Sequence, residues 1–500
     1  MAQQAPPFES VAAIDLGSNS FHMVVARLVG DQLSILDRLR ERVQLGAGLG
    51  EKKRLDEDSQ QRALACLARF GERVRGMPRG SVRAVGTSAL RVAHNSTSFL
   101  QKAGDVLGHG IEIISGQEEA RLIYLGVAHD LAEGSHRRLV VDIGGGSTEC
   151  ILGERFEPVE ADSLHMGCVN WSLRFFPRGE IDKERFESAV LAARLEVRSI
   201  ERHYRALGWS ECIGSSGTIL SIEEILDANG WNGEGITEKG LKKLKKELLE
   251  AGHCDKLDIK GLAEERRSVL PGGLAILIAL FEGLSIEGMR GSLGALREGV
   301  LWDLMGRIRH EDLREQTIRR AGERYAADLV QSGRVQRTAL DLFAQCGEEW
   351  QLERESSMRF LAWAARLHEI GLSISHQGYH KHGAYIVANS DMPGFSRQDQ
   401  QLLAALIHGH RRRLEPQVLE ALPEALRPIA LHLVLLLRIA VLLNRSRGAQ
   451  PAPPVALRTR KAGYMLAFPE GWLEQNPLTL ADLSEERERL QAIAYELELR

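Results

Sequence analysis

Nowhere in these 500 residues do two of the six cysteines form a C-x-x-C pair. Cys66, Cys150, Cys168, Cys212, Cys254 and Cys346 are scattered along the chain, which argues against a zinc module or a disulfide framework and fits a reducing cytosol. The N-terminus, MAQQAPPFES, has no basic stretch followed by an apolar one, so it does not read as a secretion signal. No transmembrane segment is expected. The longest apolar run, ALHLVLLLRIAVLL at 430–443, carries His432 and Arg438, is too short to span a bilayer and reads as a buried helix. An excess of one charge is missing too: a formal net charge of -4 gives no overall pull toward nucleic acid or anionic membrane, and no nucleic-acid partner is expected. Two common phosphate-binding signatures are absent, the P-loop G-x-x-x-x-G-K-[ST] and the dinucleotide G-x-G-x-x-G opening a helix.

With 44% hydrophobic and 26% charged residues, the composition is that of an ordinary globular protein, and the length implies roughly three or four domains. From residue 11 to about 125, strands and helices alternate. VAAIDLG, HMVVARLVG and QLSILDRL read as strands, SQQRALACLARFGERVRG as a helix, and SVRAVGTSAL as a strand running into a helix start. A second unit of the same kind begins at RRLVVDIGGGSTECILGE. Its turn repeats that of I-D-L-G-S-N-S in order: apolar, Asp, apolar, Gly, then small polar residues. From about 306 to 447 the spacing is helical throughout, with several histidines. A Pro-rich link, GAQPAPPVAL at 448–457, then leads to a short α+β tail, with YMLAFPEGW as a strand and LADLSEERERLQAIAYELEL as a helix whose charges form a solvated face.

A glycine-rich turn after a strand points successive backbone N–H groups at one place and makes a nest for an anion. An aspartate at the head of such a nest repels a bare phosphate unless a cation lies between them, so the pair suggests a metal-bound phosphate. Three turns qualify: Asp15 with Gly17 to Ser20, Asp142 with Gly144 to Thr148, and Gly214 to Thr218 without an acid of its own.

Duplicated strand-turn-strand loops of this kind resemble the actin, sugar kinase and Hsp70 superfamily. In sequence order, AIDLGSNSFHMVVA, GTSALRVAHN, ISGQEEARLIYLGV, VVDIGGGSTEC, HMGCVN, IGSSGTIL and SLGALREGVLWDL resemble the exopolyphosphatase and guanosine pentaphosphate phosphatase family over essentially the whole chain. The resemblance implies an α/β architecture of two actin-like (ribonuclease H-like) lobes at 1–125 and 126–305. An all-helical, degenerate HD-like domain at 306–447 and a small α+β domain at 448–500 would follow. It implies a cytoplasmic phosphohydrolase, with peripheral membrane association as an alternative, acting as a homodimer with Mg²⁺; Mn²⁺ is an alternative and a monovalent cation such as K⁺ an addition. The substrate it favours is inorganic polyphosphate, trimmed processively from one end. The alternatives are hydrolysis of guanosine pentaphosphate to guanosine tetraphosphate, or a non-catalytic guanosine tetraphosphate sensor.

The residues carried over follow the motifs. Glu119 would position or deprotonate the attacking water, Glu149 being the alternative base or a metal ligand. Asp142 would hold Mg²⁺, and Asp15 would bind it through water or cap its own loop. Arg91 would clamp phosphate oxygens. Ser18 and Asn19 would donate to the terminal phosphate from the first lobe, and Gly144, Gly145, Gly146, Ser147 and Thr148 with Ser215, Ser216 and Gly217 from the second. In the helical region the HD pattern departs from its type: Glu369 follows His368 where Asp is expected, Gln336 or a neighbour stands in for the upstream histidine, and Val441 for the late aspartate. His368, His382, His408 and His410 therefore read as packing or phosphate-contacting residues, with weak cation binding as the alternative. Basic clusters at 408–413, 444–447 and 458–461 are candidates to line a polyphosphate channel.

Overall fold

In the computed structural model, which describes residues 8–29, 32–50, 52–131, 137–233, 235–308, 312–447, 453–460 and 463–500, the chain forms two compact units, Met1–Asp312 and Leu313–Arg500. The first unit begins with β1 (Ser10–Leu16), β2 (Ser20–Val29) and β3 (Gln32–Arg42), followed by α1 (Glu57–Val74), β4 (Val82–Gly86), α2 (Ser88–Val92), α3 (Ser96–Leu107) and β5 (Ile111–Ile113). These strands make one sheet in the order β3-β2-β1-β4-β5. β1 is antiparallel to β2 and parallel to β4. It is buried on both faces: Val11 and Ala13 join one apolar cluster, and Ala12, Ile14 and Leu16 another. That is why its sequence is a continuous apolar run with no polar alternation.

After α4 (Gly116–Asp130) the pattern recurs with β6 (Arg137–Ile143), β7 (Thr148–Glu154), β8 (Glu157–Leu164), α5 (Cys168–Phe175), α6 (Lys183–Leu207), β9 (Glu211–Ser215), α7 (Ser216–Ala228), α8 (Glu238–Ala251), α9 (Leu270–Leu284), β10 (Arg290–Gly291) and α10 (Leu296–Ile308). The second sheet runs β10-β9-β6-β7-β8. Read from the other edge, β8-β7-β6-β9-β10 repeats the first sheet strand for strand, with the same parallel and antiparallel pairings. The internal repeat seen in the two turns is therefore a repeat of whole lobes, and the two actin-like lobes are present. Equivalent positions follow from the register. Asp15 faces His22 across β1 and β2 as Asp142 faces Glu149 across β6 and β7.

The second unit is helical: α11 (Leu313–Arg324), α12 (Leu329–Cys346), α13 (Arg354–Leu367), α14 (Tyr379–Asn389), α15 (Arg397–Gly409), α16 (Pro416–Glu420) and α17 (Arg427–Leu443). It ends in β11 (Ala456–Arg460), β12 (Gly463–Ala467), α18 (Trp472–Gln475), α19 (Pro477–Gln491) and β13 (Glu496–Leu499). The strand residues Leu457, Leu466 and Leu497 belong to the same apolar cluster as α12, α13, α15 and α17. Part of the Pro-rich link, residues 448–452, lies outside the described residues.

Three expectations are corrected here. The last helix stops at Gln491, and its expected end, E-L-E-L, is instead β13, parallel to β12. Nor is its charged face wholly solvated. Glu486 is buried and accepts hydrogen bonds from Nε and Nη2 of Arg438, which also donates to the carbonyls of Gly409 and Arg412. The apolar run at 430–443 is also longer as structure than as sequence: Glu424–Leu443 spans 20 residues with a mean hydropathy of 2.1, long and apolar enough to cross a membrane. The buried Arg438–Glu486 pair and the packing of Leu433, Leu436 and Leu437 make it a core helix.

Candidate functional site

Parallel strands present their carboxyl ends to one side of a sheet, where turns are free to hold a ligand. Four such turns, after β1, β4, β6 and β9, meet around a cavity of about 380 Å³ in the first unit. Its wall includes Asp15, Ser18 and Asn19 from the first lobe, Asp142, Gly144, Gly145, Gly146 and Ser147 from the second, Ser216 and Gly217 at the start of α7, and Glu119 from α4.

The two acid-headed turns are close-packed. A Cβ on Gly145 would lie 3.0 Å from Cβ of Ser18, and one on Gly146 3.3 Å from Oγ of Ser18 and 2.7 Å from Oγ of Ser88, so the glycines let the second turn pack against the first turn and the start of α2. Ser18 Oγ accepts from the N–H of Ala89 at 3.2 Å, tying the first turn to α2. Gly144 N–H donates to the Ser147 carbonyl at 2.9 Å, closing the second turn on itself. At the third turn Ser216 has φ 88°, a left-handed conformation unusual for a side-chain-bearing residue, and the Arg266 guanidinium packs directly on Gly217.

Four carboxyl groups gather here. Ser115 caps α4, accepting from the N–H of Glu118 at 3.1 Å, and so sets Glu119 in the helix's first turn. Burial pushes the Glu119 carboxyl up, while Arg91, whose Nη1 donates to Glu119 Oε2 at 3.0 Å, pulls it back. Asp15 is pushed up to about 8, first by burial and then by the charge of Glu119. Asp142 is pushed up to about 7 by burial. Glu149 is raised well above the carboxylate range by burial and by the charges of Glu119 and Asp142.

Not every expected residue reaches the cavity. Glu149 lies behind it, 1% exposed, accepting from Ser163 Oγ at 2.8 Å. Thr148 and Ser215 turn their hydroxyls to the carbonyls of Met166 and Gly294. Arg91 does not line the wall; its Nη1 also donates to the Ile114 carbonyl at 2.9 Å, so it serves Glu119.

Other wall residues escape the motif reading. Arg38 and Arg40 project from β3, Arg266 comes from the loop before α9, and Arg297 from the start of α10; His22 is pushed down to about 3 by burial and by Arg297. Arg297 lies in the motif SLGALREGV, which could have flagged it. The β3 arginines look like ordinary strand-surface charges, and Arg266 stands in no motif.

Among the described residues no group of three or more His, Cys, Asp or Glu side chains is arranged to hold a metal ion. Asp15 Oδ1 and Asn19 Oδ1 are nevertheless buried without a hydrogen-bond partner, and Asp142 and Glu119 face the same space. These are hard oxygen donors, few in number. They fit an ion such as Mg²⁺, which keeps several waters and is completed by substrate phosphates.

In the second unit the histidines cluster differently from expectation. His368, His380, His408 and His410 come together, with ring centroids 5.4 Å apart for His368 and His410 and 5.6 Å for His380 and His408. His380 takes the place expected of His382. The basic clusters are partly neutralised: Arg445 pairs with Asp482, Arg447 with Asp328 and Glu369, and Arg460 with Glu498, while Lys461 lies outside the described residues.

Residues 24–308 match the Ppx/GppA phosphatase family, and residues 313–487 match its domain III. The chain is 42% identical to the guanosine-5'-triphosphate,3'-diphosphate pyrophosphatase of Photobacterium profundum over 492 residues, 98% of this chain and 97% of that one. It is equally similar to the protein of that name from Vibrio cholerae, 42% over 491 residues, with the same coverage. Among solved structures, an exopolyphosphatase from Cytophaga hutchinsonii aligns with a TM-score of 0.53 at 26% identity, over 59% of this chain and 98% of that one. The Aquifex aeolicus PPX-GPPA enzyme aligns with a TM-score of 0.50 at 28% identity, over 59% and 99%.

Proposed function

The chain belongs to the Ppx/GppA phosphatase family, and from that premise we propose that it hydrolyses the 5′-terminal phosphate of guanosine pentaphosphate, releasing orthophosphate and guanosine tetraphosphate. The observation that carries this reading is the 42% identity, over 98% of the chain, to relatives named for that guanosine nucleotide. The family resemblance read from the sequence favours inorganic polyphosphate with guanosine pentaphosphate as the alternative, although the motifs do not separate the two; the full-length relatives support the alternative. The arginines at the cavity wall, Arg38, Arg40, Arg266 and Arg297, support a ligand with more than one phosphate group. Polyphosphate remains the second reading, supported by the solved relative named an exopolyphosphatase.

Phosphoryl transfer asks mostly for alignment and charge neutralisation. In this reading the backbone N–H groups of Gly145 to Ser147 and of Ser216 and Gly217, with the Ser18 hydroxyl, hold the terminal phosphate. Glu119 orients a water and takes its proton as the water oxygen attacks phosphorus. The bond from phosphorus to the bridging oxygen breaks, and that oxygen leaves with the electron pair. Arg91 keeps Glu119 in place and favours its ionised form. Asp15, Asn19 and Asp142 would hold Mg²⁺, which when bound neutralises phosphate charge. Glu149 stays behind the wall, where burial and the charges of Glu119 and Asp142 favour its protonated form.

The test is phosphate release from guanosine pentaphosphate with Mg²⁺ by the full chain and by Glu119→Gln. The variant should lose roughly 100-fold or more in kcat, the scale for removing a general base. Full activity in Glu119→Gln would remove the water-activating role.

A further inference from the structure

The motif S-G-Q-E-E-A-R contains two charged residues that the cleft does not use. Glu118 and Arg121 turn away from Glu119 into a buried ion network with Arg83 on β4, Glu112 on β5, and Asp303 and Arg307 on α10. Asp303 is its centre. It pairs with Arg83 Nη1 at 2.7 Å, Arg121 Nη2 at 2.5 Å and Arg307 Nε at 2.9 Å. Arg121 also grips Glu118 with two bonds of 2.8 Å, and Arg83 Nη2 reaches Glu112 at 3.1 Å. Three guanidinium groups thus face three carboxylates, so the network is neutral as a whole. The side chains of Arg83, Glu118 and Asp303 are only 2%, 1% and 6% exposed.

Taking so many charges out of water is expensive, and apolar residues of similar volume would join the same elements as firmly. What charges add is directional bonding. Glu118 and Glu119 are successive residues of α4, about 100° apart around the helix axis. A network that fixes Glu118 therefore fixes the rotation that aims Glu119 at the cavity. The α4–α10 contact is also unusually close: a Cβ on Gly126 or Gly299 would collide with the other helix's backbone, so the two helices have little room to slide. We infer that Asp303 is a positioning residue for Glu119, holding α4 through Arg83 and Arg121 in the rotation that aligns the water-orienting carboxylate. The inference rests on the phosphohydrolase reading given above.

The experiment is a mutant cycle on the full chain with guanosine pentaphosphate and Mg²⁺. The pair variant Arg83→Gln/Asp303→Asn removes one charge of each sign, so the network stays neutral. In the wild-type background its kcat should fall roughly 10- to 100-fold, as misplacement by about 1 Å does, with KM within about twofold. In the Glu119→Gln background the same pair should cause no further loss, because residues acting through one group are not additive. Asp303→Glu, which keeps the charge but moves the carboxylate by one methylene, is read in the same cycle and carries the test if the pair variant does not fold. An unchanged kcat, or an equal loss in both backgrounds, would overturn the inference. A wild-type chain that releases no phosphate would instead overturn the reading beneath it.

Discussion

Replacing Asp15 by Asn removes a carboxylate that the fold holds at a disadvantage. In the folded chain this group is raised from its ordinary 3.8 to about 8, by burial and by the neighbouring charge of Glu119. A group raised in this way binds its proton more tightly folded than unfolded. Between roughly pH 4 and pH 8 the folded state therefore holds more protons, and stability falls as pH rises through that window. At about 1.4 kcal/mol for each tenfold change in proton affinity, the rise sets an upper limit of roughly 6 kcal/mol at pH above 8. Asp15 keeps part of its surface open to the cavity, and its acidic neighbours relax when it is lost. About 2–3 kcal/mol is the net gain expected for Asp15→Asn at pH 8.5, which is roughly 3–5 °C in Tm for a unit of this size. At pH 5 the gain should shrink to about a third or less, since most of the wild-type carboxyl is then protonated in the folded state. The assay is thermal unfolding of the full chain in chelator and phosphate-free buffer at both pH values. Mg²⁺ should raise the wild-type Tm at pH 8.5 more than that of the variant. An Asn variant no more stable than wild type at pH 8.5, or one whose advantage grows toward pH 5, would refute the reasoning.

Arg266→Ala removes the guanidinium that packs on Gly217, and it should raise KM for guanosine pentaphosphate about 10-fold or more while changing kcat less, the scale of one or two charge-assisted hydrogen bonds; steady-state kinetics decide it. Gly299→Ala drives a methyl group into the α4 backbone at Leu122, and differential scanning calorimetry should show a loss of about 1–3 kcal/mol together with reduced turnover. In the second unit, Glu486→Gln strands Arg438 in the core and should cost about 3–5 kcal/mol, whereas Arg438→Leu with Glu486→Leu removes both charges and should cost less, about 1–3 kcal/mol for the Gly409 and Arg412 carbonyls left without their donor; chemical denaturation of the two variants separates these outcomes.

The duplicated lobes are legible in the sequence because β1 and β6 each end in the same aspartate-led turn, and unrelated hairpins have no reason to share an acid, a glycine and a run of small polar residues in the same order. The cavity wall is half legible. Loops that bind through backbone N–H groups announce themselves by glycine and serine, but Arg38 and Arg40 come to the wall only because β3 lies at the edge of the sheet beside the cleft, and Arg266 only because its loop folds over Gly217. Strand charges and loop charges have no periodicity that distinguishes a binding arginine from a solvated one. Glu486 shows the converse. It stands among Glu485, Arg487 and Glu488 in a helix that reads as charged throughout, and only the approach of Arg438, 48 residues earlier, makes it a core residue. The parallel strand β13 escapes the sequence for a related reason, since its pairing partner β12 lies well upstream and E-L-E-L suits either helix or strand.

The central claim is tested most directly by the relative kcat/KM of the purified full chain, with Mg²⁺, for guanosine pentaphosphate and for long-chain inorganic polyphosphate, with the products identified. The account predicts orthophosphate and guanosine tetraphosphate in equal amounts, and a higher kcat/KM for the nucleotide. Release of phosphate from polyphosphate alone would contradict it.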